Sequence, residues 1–162
     1  MVLAFALLAT RVNEVDLPVL KALRGKNWVD PQRLHLYGEF VESNLGSAQE
    51  PDGSVTVRMI AEQFLFVPRC VLVPAGMPVR LRITSADVEH KFSVEGINYQ
   101  AEATPGVVIE TTLNFPKPGT YEVPCREFCG AGHYAMRSEV LAVPRDQFRN
   151  LRPDERVTCA SR

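Results

Sequence analysis

From Ser54 onward, apolar side chains recur at every second residue in short blocks, a period that admits strands and little else. Val55, Val57 and Met59 alternate with Thr56 and Arg58; Val79, Leu81 and Ile83 alternate with Arg80 and Arg82; Ile109, Thr111, Leu113 and Phe115 alternate with Glu110, Thr112 and Asn114. Successive side chains of a strand point to opposite faces, so each block predicts a strand with one face buried. Further strands fit Lys91 to Val94, Tyr121 to Val123 and Glu139 to Val143. Turn chemistry lies between them: Pro74-Ala75-Gly76, Thr104-Pro105-Gly106, and Pro116-Lys117-Pro118-Gly119, where Pro followed by Gly suits a type II turn. No long amphipathic helix separates these blocks. The pattern predicts an all-β domain, an antiparallel sandwich or barrel.

The 162 residues, 46% of them hydrophobic, suffice for one core of ordinary size with flanking segments. The division expected is a lead-in over 1–53, a sandwich domain over 54–144 and a tail over 145–162. The lead-in is broken by Pro18, Gly25, Pro31, Gly38, Gly46, Pro51 and Gly53, with a short helical stretch around Val15 to Leu23. Trp28 and His35 fall in it and read as packing residues. The Arg-rich tail reads as helical or loose at the surface. At the N-terminus an apolar run, Met1 to Ala9, has under half of the ~20 residues that a membrane-spanning helix needs. It lacks the basic leader of a secretory signal, leaving the end of a spanning helix, a weak signal core, or a helix docked on a partner.

Eighteen Lys and Arg against nineteen Asp and Glu give a net charge of -1, which argues against nucleic acid as a partner. Charge is uneven, however. Between Ala86 and Glu122 six acids (Asp87, Glu89, Glu95, Glu102, Glu110, Glu122) face two lysines (Lys91, Lys117), a local excess that either steers a basic partner or is simply a solvated face. Four cysteines are too few for a disulfide-stapled miniprotein. Cys70 lies in the apolar run Val67 to Val73 and reads as a small buried hydrophobe, and Cys159 as a free thiol. A disulfide between them suits a compartment outside the cytosol but is not readable from sequence.

The chemistry is concentrated in Cys125-Arg126-Glu127-Phe128-Cys129-Gly130-Ala131-Gly132-His133-Tyr134-Ala135-Met136. Two thiols, an imidazole and a thioether lie within twelve residues, directly after a strand. Soft sulfur with imidazole selects copper, or zinc where a tetrahedral set is complete. Gly130 and Gly132 are expected to let the backbone curl so that the donors face one point. His90, at the start of another strand, supplies a second imidazole. A single-copper site of the blue type needs two His, one Cys and a weak Met. Here one Cys is left over, and two thiolates can bridge two copper ions. His90 and His133 then each cap one ion, Met136 is a weak ligand to one, and a backbone carbonyl balances the other. Glu127, midway between the cysteines, is placed to offer it.

His90 with Cys125-x-Glu127-x-Cys129-Gly130-x-x-His133-x-x-Met136 resembles the CuA signature of cytochrome c oxidase subunit II. The resemblance runs from about Val55 to Val143 and includes Val73-Pro74-Ala75-Gly76 and Ser85-x-Asp87-Val88-x-His90-x-Phe92. It implies a cupredoxin-like Greek-key β-sandwich behind an extended or partly helical lead-in. It also implies a dinuclear copper centre that takes electrons from cytochrome c or another small redox donor and passes them to haem in subunit I of a haem-copper oxidase. The family carries membrane helices before this domain, so Met1 to Ala9 reads as the end of one, with the copper domain on the outer side of the membrane. Glu127 matches a position whose side chain helps to bind magnesium at the subunit I contact. The Trp-rich segment of many members is replaced by Glu62-Gln63-Phe64-Leu65-Phe66-Val67-Pro68, which is closer to the ba3-like branch. Asp87 and Glu89 are candidates for holding His90 or docking the donor. Three alternatives accompany this assignment: a single-copper cupredoxin carrier, the CuA subunit of a nitric oxide reductase, and a copper metallochaperone or thiol redox protein. The last needs strands alternating with helices.

Overall fold

A computed structural model describes residues 27–149 and 156–159. Met1 to Ala9 and the helical stretch at Val15 to Leu23 lie outside the described residues. Among the described residues ten strands form two sheets and a hairpin. The first sheet runs β1 (Gly46–Gln49), β2 (Val55–Glu62), β5 (Pro78–Ser85), β8 (Ile109–Asn114), with β3 (Leu65–Val67) also paired to β2. The second runs β4 (Cys70–Pro74), β10 (Arg137–Val143), β9 (Gly119–Pro124), and β6 (His90–Val94) pairs with β7 (Tyr99–Ala103). The expected sandwich is present, but it is not purely antiparallel. β2 pairs with β5, and β10 with β4, in parallel, and in each case other strands intervene in the chain to make the crossover that a parallel pair needs.

The two-residue period builds the core as predicted. Val55, Val57, Met59 and Ala61 of β2 share the inner face with Val79, Leu81 and Ile83 of β5, and meet Val71, Val73, Val123, Val140 and Ala142 of the opposite sheet. Phe92 of β6 lies beside Phe66 of β3, with ring centres 6.5 Å apart and planes at 73°, the edge-on arrangement aromatic rings prefer.

The outer face of β2 is also covered, which alternation alone does not foretell. Ile60 is fully buried there against Leu34, Phe40, Leu45 and Val108. Residues 27–45, with short 3-10 turns at Pro31–Arg33 and Glu42–Asn44, fold over that face. Glu39 secures them through Arg82 Nε and Nη2, at 2.7 and 2.6 Å, and through Arg58 Nε at 3.6 Å. The tail contributes a short helix, α1 (Arg145–Arg149), and a return of Val157 and Thr158 to β1 and β4. Cys70 and Cys159, read from sequence as independent thiols, are joined in a disulfide there. The pairing is invisible in sequence because 89 residues separate the two.

Candidate metal centre

Every donor singled out in the sequence is carried at one end of the sandwich. His90 opens β6, Cys125 follows β9, and Met136 precedes β10, so three strand ends set the frame. The loop between β9 and β10 is closed at its base by Cys125 N–H donating to the Met136 carbonyl at 3.0 Å. Within it His133 N–H donates to Gly130 O at 3.0 Å and Met136 N–H to His133 O at 3.1 Å, winding the 3-10 turn His133–Ala135. A bridge between Phe92 and Cys125 draws this loop beside His90.

The cysteine sulfurs lie 4.0 Å apart and are free thiols. His90 Nδ1 stands 4.0 Å from Cys125 Sγ, and His133 Nδ1 stands 3.7 Å from Cys129 Sγ. Met136 Sδ is 3.6 Å from Cys129 Sγ, and the Glu127 carbonyl accepts from Cys125 Sγ at 3.3 Å. His90, Cys125, Cys129 and Met136 are buried, whereas His133 is half-buried. Donor atoms of His90, Cys125 and Cys129 all lie within 4.8 Å of one another, the only such group of three or more His, Cys, Asp or Glu among the described residues. His133 approaches it from the Cys129 side alone, and the Glu127 side chain points to solvent. His35 stays outside, 3.9 Å from Glu62, and Trp28 bridges to Val107.

This donor set fits a soft metal. Two sulfurs sharing one ion at bonds of about 2.3 Å, the length seen for zinc thiolates, lie no more than about 4.6 Å apart. The observed 4.0 Å satisfies that bound and is twice the length of a disulfide of about 2.05 Å. Burial and the neighbouring Cys125 push the Cys129 thiol up to about 11. A metal binding through this sulfur must displace that proton.

Asp87 orients the first imidazole. Its Oδ1 lies 2.8 Å from His90 Nε2 and accepts Val88 N–H at 2.6 Å, while Oδ2 accepts Gln63 N–H at 2.7 Å. Burial pushes this carboxyl up, but the hydrogen bonds from His90, Gln63 and Val88 outweigh it and hold it below the ordinary carboxylate value. With Nε2 committed to Asp87, Nδ1 is left facing the sulfurs. That division of labour between ring nitrogens is the usual one in metal-ligating histidines.

The two loop glycines serve different ends. Gly130 has φ +133, a conformation side chains rarely adopt. Gly132, at φ −93, needs no such freedom. A Cβ there would lie 2.4 Å from Cδ2 of Phe64, so what Gly132 provides is space.

The acidic excess is mostly spent internally. Asp87 serves His90, Glu95 pairs with Arg126, Glu102 with Lys91 at 3.8 Å, and Glu110 with Arg82. Exposed apolar side chains also stand around the site, Phe128, Tyr134 and Val88 at 77%, 82% and 38%, beside the exposed charges of Glu89, Arg126 and Glu127.

A β-sandwich whose strand ends gather two buried thiols, two imidazoles and a thioether defines a copper-binding domain of the cupredoxin class. Residues 25–143 match the family model described as cytochrome C oxidase subunit II, periplasmic domain. The chain belongs to the cytochrome c oxidase subunit II family. It is 35% identical over 113 residues to cytochrome c oxidase subunit 2 of Thermus thermophilus, a match spanning 70% of this chain and 84% of that one. A solved heme-copper terminal oxidase dimer contains a chain that is 28% identical with a TM-score of 0.55, over 88% of this chain and 95% of that one. The periplasmic domain of subunit II (CoxB) of Bradyrhizobium japonicum has a TM-score of 0.54 at 23% identity, over 58% of this chain and 87% of that one, and shares the fold. Membership makes the chain an electron-transfer subunit of a haem-copper oxidase, an oxidoreductase complex of the membrane in which it partners subunit I. Among the described residues no helix is long and apolar enough to cross a membrane.

Proposed function

We propose that this subunit holds a dinuclear copper centre of the CuA type, receives single electrons from a cytochrome c-like donor, and delivers them to haem in subunit I for oxygen reduction. The observation carrying it is the pair of free thiols 4.0 Å apart, each with the Nδ1 of a different histidine beside it. Cys125 and Cys129 would bridge the ions, His90 and His133 would cap them, and Met136 and the Glu127 carbonyl would complete the set. Bound copper supplies a one-electron couple. The chain contributes rigidity: strand ends hold the donors, Asp87 fixes His90, and burial excludes water. The exposed Glu127 carboxylate offers one ligand to a magnesium ion shared with subunit I.

In place of a Trp-rich entry segment, Phe64 lies against the ligand loop, and this favours the ba3-like branch. Donor docking follows the apolar rim of Phe128, Tyr134 and Val88, since four of the six acids once expected to steer a basic partner are engaged in pairs. Rapid mixing of the copper-loaded chain with a reduced cytochrome c tests the assignment. Phe128→Ser is expected to slow electron transfer on the order of tenfold, as loss of a central aromatic contact does. An unchanged rate, or a rate governed by salt alone, contradicts the apolar rim.

A further inference from the structure

The two arms of the site, the His90 arm and the Cys129 arm, come from distant parts of the sequence, yet one short turn touches both. It is Gln63–Phe64, between β2 and β3, where the register Glu62↔Leu65 leaves only these two residues to make the bend. Gln63 N–H donates to Asp87 Oδ2 at 2.7 Å, and Asp87 Oδ1 lies 2.8 Å from His90 Nε2. The Gln63 side-chain amide donates to the Cys129 carbonyl. The Phe64 ring covers the glycines beyond: a Cβ on Gly130 would lie 2.9 Å from both Gln63 Nε2 and Phe64 Cε1, and one on Gly132 only 2.4 Å from Phe64 Cδ2. The bend itself is anchored. Phe66, the middle residue of β3, is fully buried, and Ala86 N–H donates to Ala61 O at 2.9 Å, drawing the Asp87 loop to the end of β2.

We propose that Gln63 and Phe64 are positioning residues, a clamp that sets the spacing of the two ligand arms before any metal arrives. This rests on the copper assignment for its purpose but not for its test. Loops are the mobile parts of a sandwich, and electron transfer at a metal is slowed by any rearrangement of its ligands. A clamp that contacts both arms from a rigid strand bend removes that freedom, as supporting contacts do around other metal sites. Gln63 is suited to the task because one residue supplies two donors, a backbone N–H to one arm and an amide to the other. Phe64 adds a rigid face against which the Cys129–His133 backbone rests, and it accounts for the absence of a side chain at Gly132.

The test uses the full chain, first without copper. Gln63→Met keeps length and removes the amide donor. The hydrogen-bonded loop amides of His133, Ala135 and Met136 are then expected to exchange with solvent on the order of tenfold faster, the change that follows loss of one buried hydrogen bond, with the global unfolding midpoint unchanged. Oxidation of Cys125 with Cys129 to a disulfide by added oxidised glutathione, which takes up the two electrons and two protons and leaves as two reduced thiols, should also accelerate, because the cysteine sulfurs must close from 4.0 Å. Gln63→Lys, which retains a donor, should restore slow exchange. Gly132→Ala should disrupt the loop on its own and be tolerated beside Phe64→Ala, so that the two substitutions are strongly non-additive. In the copper-loaded chain, Gln63→Met should shift the reduction potential. Unchanged exchange and thiol oxidation, or changes that merely track global stability, or additive effects at 64 and 132, would overturn the clamp. Should the wild-type chain take up no paired copper, the function proposed above falls, while the apo-chain measurements still decide the clamp.

Discussion

Cys129, proposed above as a copper ligand, also has a proton that the fold holds tightly. Burial first, then the charge and hydrogen bonding of Cys125, raise its thiol from 9.0 to about 11. The folded chain therefore binds this proton more tightly than the unfolded chain does. Between pH 9.0 and about 11 the unfolded thiol is ionised and the folded one is not, so the apo-protein should lose stability as pH rises through that window, and keep it below. Because copper must displace the same proton, apparent copper affinity should rise with pH over the range below. Denaturant midpoints across the alkaline range, with Cys129→Ser as the control that abolishes the fall, check the first expectation. A midpoint indifferent to Cys129 contradicts it. The candidate donors stand out in the sequence because four of them fall within twelve residues. Gln63 was not, since its partners Asp87 and Cys129 lie 24 and 66 residues away.

At the scale of elements, β2 illustrates what a period of two reveals and what it hides. Val55, Val57 and Met59 identified its inner face correctly, and β5 and β8 were equally plain. Its outer face reads Thr56, Arg58 and Ile60, and only the structure shows that residues 27–45 cover it. β1 went unread because Gly-Ser-Ala-Gln has neither alternation nor β-branching, and it exists through its pairing with β2. β7, Tyr-Gln-Ala-Glu-Ala, is similarly weak in pattern and is held by β6. The lead-in depends on Glu39, whose hydrogen bonds are the largest cause raising the Arg82 guanidinium above its ordinary value. Arg58 and Arg82 side chains are only 14% and 16% exposed, and without their shared partner they keep Glu50 and Glu110 alone. Glu39→Gln should cost about 1–2 kcal/mol, between the values for exposed and for buried pairs. Chemical denaturation measures it, and a loss within error of zero would show that the apolar contacts of Leu34 and Phe40 hold the segment unaided.

Across the whole molecule, the returning tail at residues 156–159 is tied to the sandwich rather than to the site. Val157 pairs with Ser47 of β1 and Thr158 with Val71 of β4, so the returning tail spans both sheets. The Cys70–Cys159 disulfide closes this return over 89 residues, while Cys125 and Cys129 remain thiols in the same chain. Replacing Cys70 and Cys159 together by Ser should cost about 2–4 kcal/mol in denaturant unfolding while leaving the metal spectrum intact. A changed spectrum would mean that the staple reaches the ligand loops. Copper content measured together with EPR on the full chain decides whether Cys125 and Cys129 hold a pair of coppers. Two coppers per chain and one unpaired electron shared across both, lost in Cys129→Ser, are the expected result. One copper per chain with a single-ion blue-site spectrum would contradict it.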